Sequence, residues 1–485
     1  MVEPLRQTFK SDHQTMHSPL SSIVRREPVT VPPQMSVRDA LREMDTHRIG
    51  SIVVAETQER VPLGIFTLQD LLRRIALQNG DLAQPIANVM TRQLVSLKPQ
   101  STAYQAALTM ARRNVRHVLV VDDDGHLAGI VSQNDLFALQ RVGIKEVSTE
   151  ISAAQDIGGL SHSAREIRVL ADNMLAQGIG AEQLTHFIST LNDLLTLRII
   201  ELTMAEFNLP EVNWCWIALG SEGRFEQTFS TDQDNGIIFD CPRDTTEQVR
   251  QQFLPFAQAV NHKLDACGFL LCKGNIMAGN PMWCMSLDEW RRKFQSWIRV
   301  SEPQALLFAS IFFDFRPLCG DEKLSDALRE WLIDACHTNP IFLRQMAENA
   351  LQCQPPLGII RDFVFDKSNE FPHTIDLKMY GAWPFVDSAR IFALAHGVPH
   401  TSTAQRLRSV MEKMNFPAGE VAAIIDSFYY IQLLRLRHQH ELHGQATGAN
   451  RIDPDDLNEL ERHILKEAFK QARKLQSRLR LDYQL

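Results

Sequence analysis

The chain has 485 residues, 44% hydrophobic and 22% charged, enough to bury large cores and to form about three domains. Its formal net charge is −8 and its lysines and arginines are scattered, which argues against a nucleic-acid-binding surface. The eight cysteines have no Cys-x-x-Cys pairing, so neither a zinc knuckle nor a disulfide framework is indicated, and reduced thiols are expected. The leader, residues 1–17, lacks a signal-peptide apolar stretch, and no run reaches the roughly 18 apolar residues of a membrane span. A cytoplasmic location is expected.

Residues 18–78 and 85–142 share one order of features. A Val-rich strand before proline ("EPVTVPP", "QLVSLKP") is followed by a helix opened by Ser or Thr ("SVRDALREMDTHR", "STAYQAALTMARRN"). Then come a β-branched strand, a strand opened by glycine and a closing helix ("GIFTLQDLLRRI", "GIVSQNDLFALQ"). Gly64 and Gly129 lie 65 residues apart (129 − 64) in matching surroundings, so the unit is duplicated. This β-α-β-β-α repeat resembles a tandem pair of CBS domains over nearly all of residues 18–142.

In each half a hydroxyl ends the strand and an aspartate follows three residues on: Thr67 with Asp70, and Ser132 with Asp135. A hydroxyl beside free helix N–H groups can help to hold a phosphate, and the aspartate can accept from a ribose diol. The same residue types also cap helices without any ligand. The CBS resemblance implies an adenine-nucleotide sensor at these positions and a homodimer formed through the pair.

Residues 143–207 have apolar residues at helical spacing interrupted by "GG" and "GIG", which predicts two or three connecting helices. After them, "WCWIALG" and "GIIFD" read as buried strands joined by "SEGRFEQTFSTDQDN". On a strand, residues i and i+2 share a face, so Asp232 and Asp234 project together and Gln233 points away. Two carboxylates held so close are favourable when a cation shares them, and hard oxygen ligands suit Mg²⁺. Gly220 lets backbone N–H groups approach phosphate oxygens closely.

Gly220, Ser221, Gly223, Arg224, Glu226 and the Asp232-x-Asp234 pair resemble the core motif of polymerase-β-type nucleotidyltransferases. The branch containing protein-PII uridylyltransferase and glutamine-synthetase adenylyltransferase is the most similar. The resemblance implies that Gly220, Ser221 and Gly223 hold an NTP, that Asp232 and Asp234 ligate magnesium, that Arg224 positions phosphates and that Glu226 braces the turn. Active enzymes of that superfamily usually carry a third carboxylate on a later strand. "GFLLCKGNIMAGNPMWCMSL" contains none, and Asp288 and Glu289 look like a helix start, which leaves Asp314 in "IFFDFRPL". Asp314 either completes the site, which requires "IFFDF" beside "GIIFD", or pairs with Arg316 or another arginine.

Domain boundaries are therefore expected at 18–142 for the CBS pair, 143–207 for the connector, 208–320 for the nucleotidyltransferase-like domain and 321–485 for a helical domain. The whole is an α/β multidomain chain. It resembles bacterial proteins that join a CBS pair to a nucleotidyltransferase domain of the DUF294 type. In the helical part Lys378, Arg390 and Arg437 either face the cleft or form a solvated face. "HQHELH" (438–443) lacks the His-Glu-x-x-His spacing of a zinc site, so His438, His440 and His443 read as a helix end. The resemblance implies transfer of an NMP from Mg-NTP to an unidentified acceptor, a protein among the options. The alternatives are a non-catalytic nucleotide-binding regulator that signals to a partner, and an inert structural adaptor.

Overall fold

The computed structural model describes residues 18–24, 28–47, 49–56, 60–78, 80–113, 115–230, 232–358, 363–365, 371–442 and 448–485. The 1–17 leader and His443 lie outside them. The chain divides into two compact units, residues 1–146 and 147–485.

The first unit contains the duplication. After a single turn α1 (Leu20–Ile23), the first half runs β1 (Thr30–Val31), α2 (Val37–Thr46), β2 (Ser51–Ala55), β3 (Pro62–Thr67) and α3 (Leu68–Asp70), which continues as a π-helical turn over Leu71–Ala76. The second half runs β4 (Ser96–Leu97), α4 (Ala103–Arg113), β5 (His117–Val121), β6 (Leu127–Ser132) and α5 (Gln133–Ala153). Each half forms a three-stranded sheet whose first pair is parallel and second antiparallel. The two glycines occupy equivalent registers, Gly64 opposite Val54 and Gly129 opposite Val120. They recur because chain packs directly over them. A Cβ at Gly64 would stand 2.4 Å from Met90 Sδ, and one at Gly129 2.4 Å from Val24 Cγ2.

The second unit opens with long helices α6 (Ile157–Ala176) and α7 (Ala181–Met204). This stretch, expected as a connector, shares one apolar core with the following sheet: Leu191, Leu195 and Ile199 pack with Trp216, Ile237 and Phe239. The sheet has the order β10-β7-β8-β9, built from β7 (Trp214–Ala218), β8 (Asn235–Phe239), β9 (Cys284–Ser286) and β10 (Arg316–Gly320). A one-turn helix α8 (Gly220–Gly223) follows β7, and α9 (Thr246–Ala266), α10 (Leu287–Arg299) and α11 (Pro303–Phe312) complete this part. Ser286 and Glu289 form a capping box at the start of α10, and Asp288 pairs with Arg243 (3.0 Å), so both carboxylates are engaged away from the acid pair. β7 lies between β8 and β10, so "IFFDF" leads into a strand beside β7, not beside "GIIFD".

The remaining helices are α12 (Glu322–His337), α13 (Pro340–Ala350), α14 (Trp383–Ala395), α15 (Thr403–Lys413), α16 (Ala418–Glu441) and α17 (Glu459–Tyr483). A π-helical turn over Leu377–Ala382 precedes α14, and two-residue strands β11 (Ile375–Asp376) and β12 (Arg451–Ile452) pair beside it. Ile217 and Ile238 of the sheet belong to the same core as Phe385, Phe428 and Phe469 of these helices. No described helix is long and apolar enough to cross a membrane.

Candidate functional site

The motif turn and the acid pair are joined by backbone contacts. Leu219 N–H donates to the Asp234 carbonyl (2.9 Å), which sets the Gly220 turn against the start of β8. Gly220 has φ of +55°, a conformation that glycine adopts without a Cβ penalty. A Cβ there would also stand 3.1 Å from Asp234 Oδ2. Glycine at 220 thus makes room for an aspartate carboxylate. As the opening residues of a helix, Gly220, Ser221 and Glu222 have no preceding turn to accept from their N–H groups.

Asp232 is exposed, Asp234 is half-buried, and their carboxylates lie with the Cys272 thiol as three donors all within 4.8 Å of one another. The residue between them does the opposite. Gln233 is 2% exposed and its side-chain N–H groups donate to the carbonyls of Asn261 (3.0 Å) and Phe269 (2.7 Å). Asn261 donates in turn to Gln233 Oε1 (2.9 Å) and Asn235 Oδ1 (3.0 Å), and Asn235 Oδ1 accepts from Ala278 N–H (2.8 Å). This buried amide network fixes the loop after α9, and so brings Cys272 to the acid pair. Gln233, Asn235 and Asn261 are positioning residues that residue spacing did not single out.

Burial, and then the charge of Asp232, push the Asp234 carboxyl up to about 7. Burial, and then Asp234, push the Cys272 thiol up to about 11. Near pH 7 the third corner is therefore a neutral thiol, a poor ligand for a hard cation. The mutual repulsion of two aspartates is what a shared cation relieves, so the donor set fits a divalent ion held by Asp232 and Asp234.

The structure corrects the expectation for Asp314. It is fully buried, and its Oδ1 accepts from Arg390 Nε (3.0 Å) and Arg406 Nη1 (2.6 Å). Its Oδ2 accepts from Arg390 Nη2 (2.6 Å) and Arg224 Nη1 (2.8 Å). Each oxygen thus receives two charge-assisted bonds, and no lone pair is left for a metal. Burial alone would raise its pKa, but the charges of Arg390, Arg406 and Arg224 outweigh it and hold the carboxyl far below the usual range. Arg316, the partner considered from sequence, pairs instead with Asp193 (2.6 Å) and lies 3.8 Å over the Phe225 ring.

Arg224 is likewise engaged in ion pairs. Its guanidinium is held by Glu226 Oε2 (2.7 Å) and Asp314 (2.8 Å), while its charge also bears on Asp234 and Lys378. Glu226 ties the turn to the helices, since its Oε1 accepts from the Thr403 N–H at the start of α15 (2.8 Å). Gly223 is buried against the chain: a Cβ there would stand 1.8 Å from the Asp314 carbonyl oxygen, so its smallness serves packing, not nucleotide contact. Of the three helical-domain cations, Arg390 belongs to Asp314 and Arg437 pairs with Glu461 (2.8 Å). Lys378 alone comes to the site, where the charges of both Asp232 and Asp234 bear on its ammonium. His440 meets Asp172 (2.8 Å), and among the described residues His438 and His440 join no three-donor metal cluster.

In the first unit the two turns are alike. Thr67 Oγ1 donates to Asp70 Oδ2 (2.8 Å) and accepts from Asp70 N–H (3.3 Å), a reciprocal capping box. Ser132 and Asp135 repeat it at 2.6 and 3.2 Å. The capping alternative thus describes their bonding here, and both carboxylates stand at the strand-to-helix turn.

Two expectations follow. Asp314→Asn would leave three buried guanidiniums short of a counter-charge, and stability should fall by about 3–5 kcal/mol in chemical denaturation. An unchanged midpoint would contradict the bonding described. Glu222 is 8% exposed, and burial followed by the Asp193 charge push its carboxyl from 4.5 up to about 8. The folded chain then keeps a proton that the unfolded chain releases, so folding is favoured at low pH and penalised as pH climbs through about 8. Glu222→Gln cannot ionise. It should match the wild type near pH 4 and exceed its stability increasingly up to pH 8, by on the order of a few kcal/mol. A difference that does not change with pH would contradict this.

Residues 165–304 match the family described as "Putative nucleotidyltransferase DUF294", and residues 340–483 match "Putative nucleotidyltransferase substrate binding domain". Residues 20–77 and 86–141 each match the "CBS domain". The CBS domain-containing protein YhcV of Bacillus subtilis is 32% identical over 133 residues, which are 27% of this chain and 88% of that protein. The inosine-5'-monophosphate dehydrogenase of Korarchaeum cryptofilum is 32% identical over 116 residues, 24% of this chain and 23% of the enzyme. A solved CBS domain protein from Pyrobaculum aerophilum, complexed with AMP, is 29% identical, with 24% of this chain and 90% of that one covered at a TM-score of 0.24. The chain belongs to the family that joins a pair of CBS domains to a DUF294 nucleotidyltransferase domain and its substrate-binding domain.

Proposed function

We propose that the second unit transfers a nucleoside monophosphate from a magnesium-bound NTP to an acceptor, a protein side chain being one candidate, under control of the CBS pair. The observation that carries this reading is the acid pair beside the Gly220 turn, with Lys378 facing it. Asp232 and Asp234 would hold the metal, whose chemistry is to polarise the reacting phosphoryl group and balance its charge. The N–H groups of Ser221 and Glu222 would meet phosphate oxygens, and the Gln233–Asn261 network keeps the two carboxylates in place without reorganisation. Free thiols throughout are compatible with a reducing, cytoplasmic setting.

A second reading has an observation in its favour. Asp314 is fully bonded to arginines, and the third corner of the acid cluster is a thiol. A site with two carboxylates can bind a metal nucleotide and signal its occupancy to a partner without turnover. Label transfer separates the two readings. Full-length protein incubated with each labelled NTP, magnesium and cell extract should form a labelled product. The double change Asp232→Asn with Asp234→Asn should abolish both transfer and magnesium-dependent NTP binding without lowering stability, because it removes two repelling charges. Magnesium-dependent binding without transfer would select the regulator, and unchanged binding in the variant would exclude both.

For the first unit we propose an adenine nucleotide at the Thr67–Asp70 and Ser132–Asp135 turns, within a homodimer formed through the pair. In full-length protein carrying Asp232→Asn and Asp234→Asn, AMP or ATP without magnesium should raise the melting temperature, since a ligand of the native state stabilises it by mass action. Adding Asp70→Ala and Asp135→Ala should remove that rise. A rise that persists would place the ligand elsewhere.

A further inference from the structure

The buried cations of the second unit can be taken one by one. Arg224, Arg390 and Arg406 meet Asp314, and Arg316 meets Asp193. Arg329 has no carboxylate partner among the described residues, but it donates to the backbone carbonyls of Phe313 and Phe315 and lies 3.8 Å over the Phe315 ring. Arg435 on α16 also lacks an ion pair. It is 7% exposed, yet its Nε donates to Asn450 Oδ1 (3.0 Å) and its Nη1 to Gln432 Oε1 (2.5 Å), both neutral amides. Among the described residues it forms no ion pair; the charges of Asp376 and Glu226 bear on it, but burial outweighs them and lowers its pKa.

Lys378 sits in the π-helical turn that packs on α16, and the charges of Lys378 and Arg435 bear on each other. Asp376, whose Oδ1 accepts from the backbone N–H groups of Lys378 and Met379 (2.9 Å each), is the carboxylate whose charge bears most on Arg435, but it closes to ion-pair distance with neither cation. Among the described residues the Lys378 ammonium has neither a hydrogen bond nor an ion pair. The side chain reaches solvent, while burial and the Arg435 charge lower its pKa against the opposing pull of the two aspartates. Two cations that form no ion pair thus stand near two aspartates that repel each other: the charges of Arg435, Asp232 and Asp234 all bear on Lys378, and among the described residues no pair of these groups closes to ion-pair distance.

We propose that Lys378 and Arg435 form an anion subsite that takes the terminal phosphates of a polyphosphate, while Asp232 and Asp234 hold a cation on its other side. The proposal rests on the nucleotide reading of the acid pair, and it assigns the polyphosphate, not the acceptor, to this edge of the helical domain. The chemistry is complementary: Arg435 is a planar fork preset by its two amides, and Lys378 is a mobile point charge open to water.

Inorganic tripolyphosphate, added to full-length protein in EDTA and followed by calorimetry, is the probe. Lys378→Gln and Arg435→Gln should each weaken its binding about tenfold or more, the loss of one charge-assisted contact. Lys378→Arg should restore most of it. Lys378 has an exposed head group, so Lys378→Gln tests the subsite even if Arg435→Gln fails to fold. Asp232→Asn with Asp234→Asn should keep or tighten metal-free tripolyphosphate binding while losing Mg-NTP, so failure of the nucleotide reading and failure of the subsite are seen separately. Equal affinity in wild type, Lys378→Gln and Arg435→Gln would overturn the proposal. Orthophosphate binding as tightly as tripolyphosphate would overturn its assignment to a polyphosphate.

Discussion

Asp314 is the point on which the second unit is assembled. One carboxylate, fully buried, collects Arg224 from the motif turn, Arg390 from α14 and Arg406 from α15. Glu226 adds a bond from the same turn to the start of α15, and Asp387 pairs with Arg390 (2.6 Å). Three guanidiniums thus face three carboxylates. Such a cluster is weak evidence for net stability, because the desolvation of each ion opposes the attraction. Its directional bonds do specify position. The turn that carries Gly220 and the helices that carry Lys378 and Arg435 have one mutual arrangement in which all these charges are satisfied.

This constraint accounts for the division of labour among the motif residues. Arg224 and Glu226 fasten the turn to the helical domain, Gly223 lets the Asp314 backbone pass, and Gly220 admits the Asp234 carboxylate. Around the acid pair, Asp232, Asp234, Lys378 and Arg435 close no ion pair among the described residues. The charges that folding pairs are architecture, and a binding role is proposed for those that it leaves unpaired.

Legibility from sequence followed the same line. The CBS duplication was readable because strand period, Pro and Gly punctuation recur at one spacing, and both strands of the acid-pair hairpin were readable as apolar runs. Asp232 and Asp234 declared themselves by an i, i+2 spacing just before a strand. Asp314 did not, because its partners are 76, 90 and 92 residues away and no local pattern encodes them. Cys272 arrives beside the aspartates through an amide network built by Gln233 and Asn261, 28 residues apart. Arg435 looked like any basic residue on an amphipathic helix. Its lack of an ion pair is visible only once burial and the neighbouring partners are known.

The central claim is that a divalent cation between Asp232 and Asp234 and a polyphosphate reaching Lys378 meet in one cleft. Manganese substituted for magnesium tests it directly, through paramagnetic broadening of the ³¹P resonances of a bound NTP on the full-length protein. The account predicts strong broadening of the phosphorus signals in the wild type and its loss when Asp232 and Asp234 are both changed to Asn. Broadening that survives in that variant, or an NTP bound with no broadening in the wild type, would contradict it.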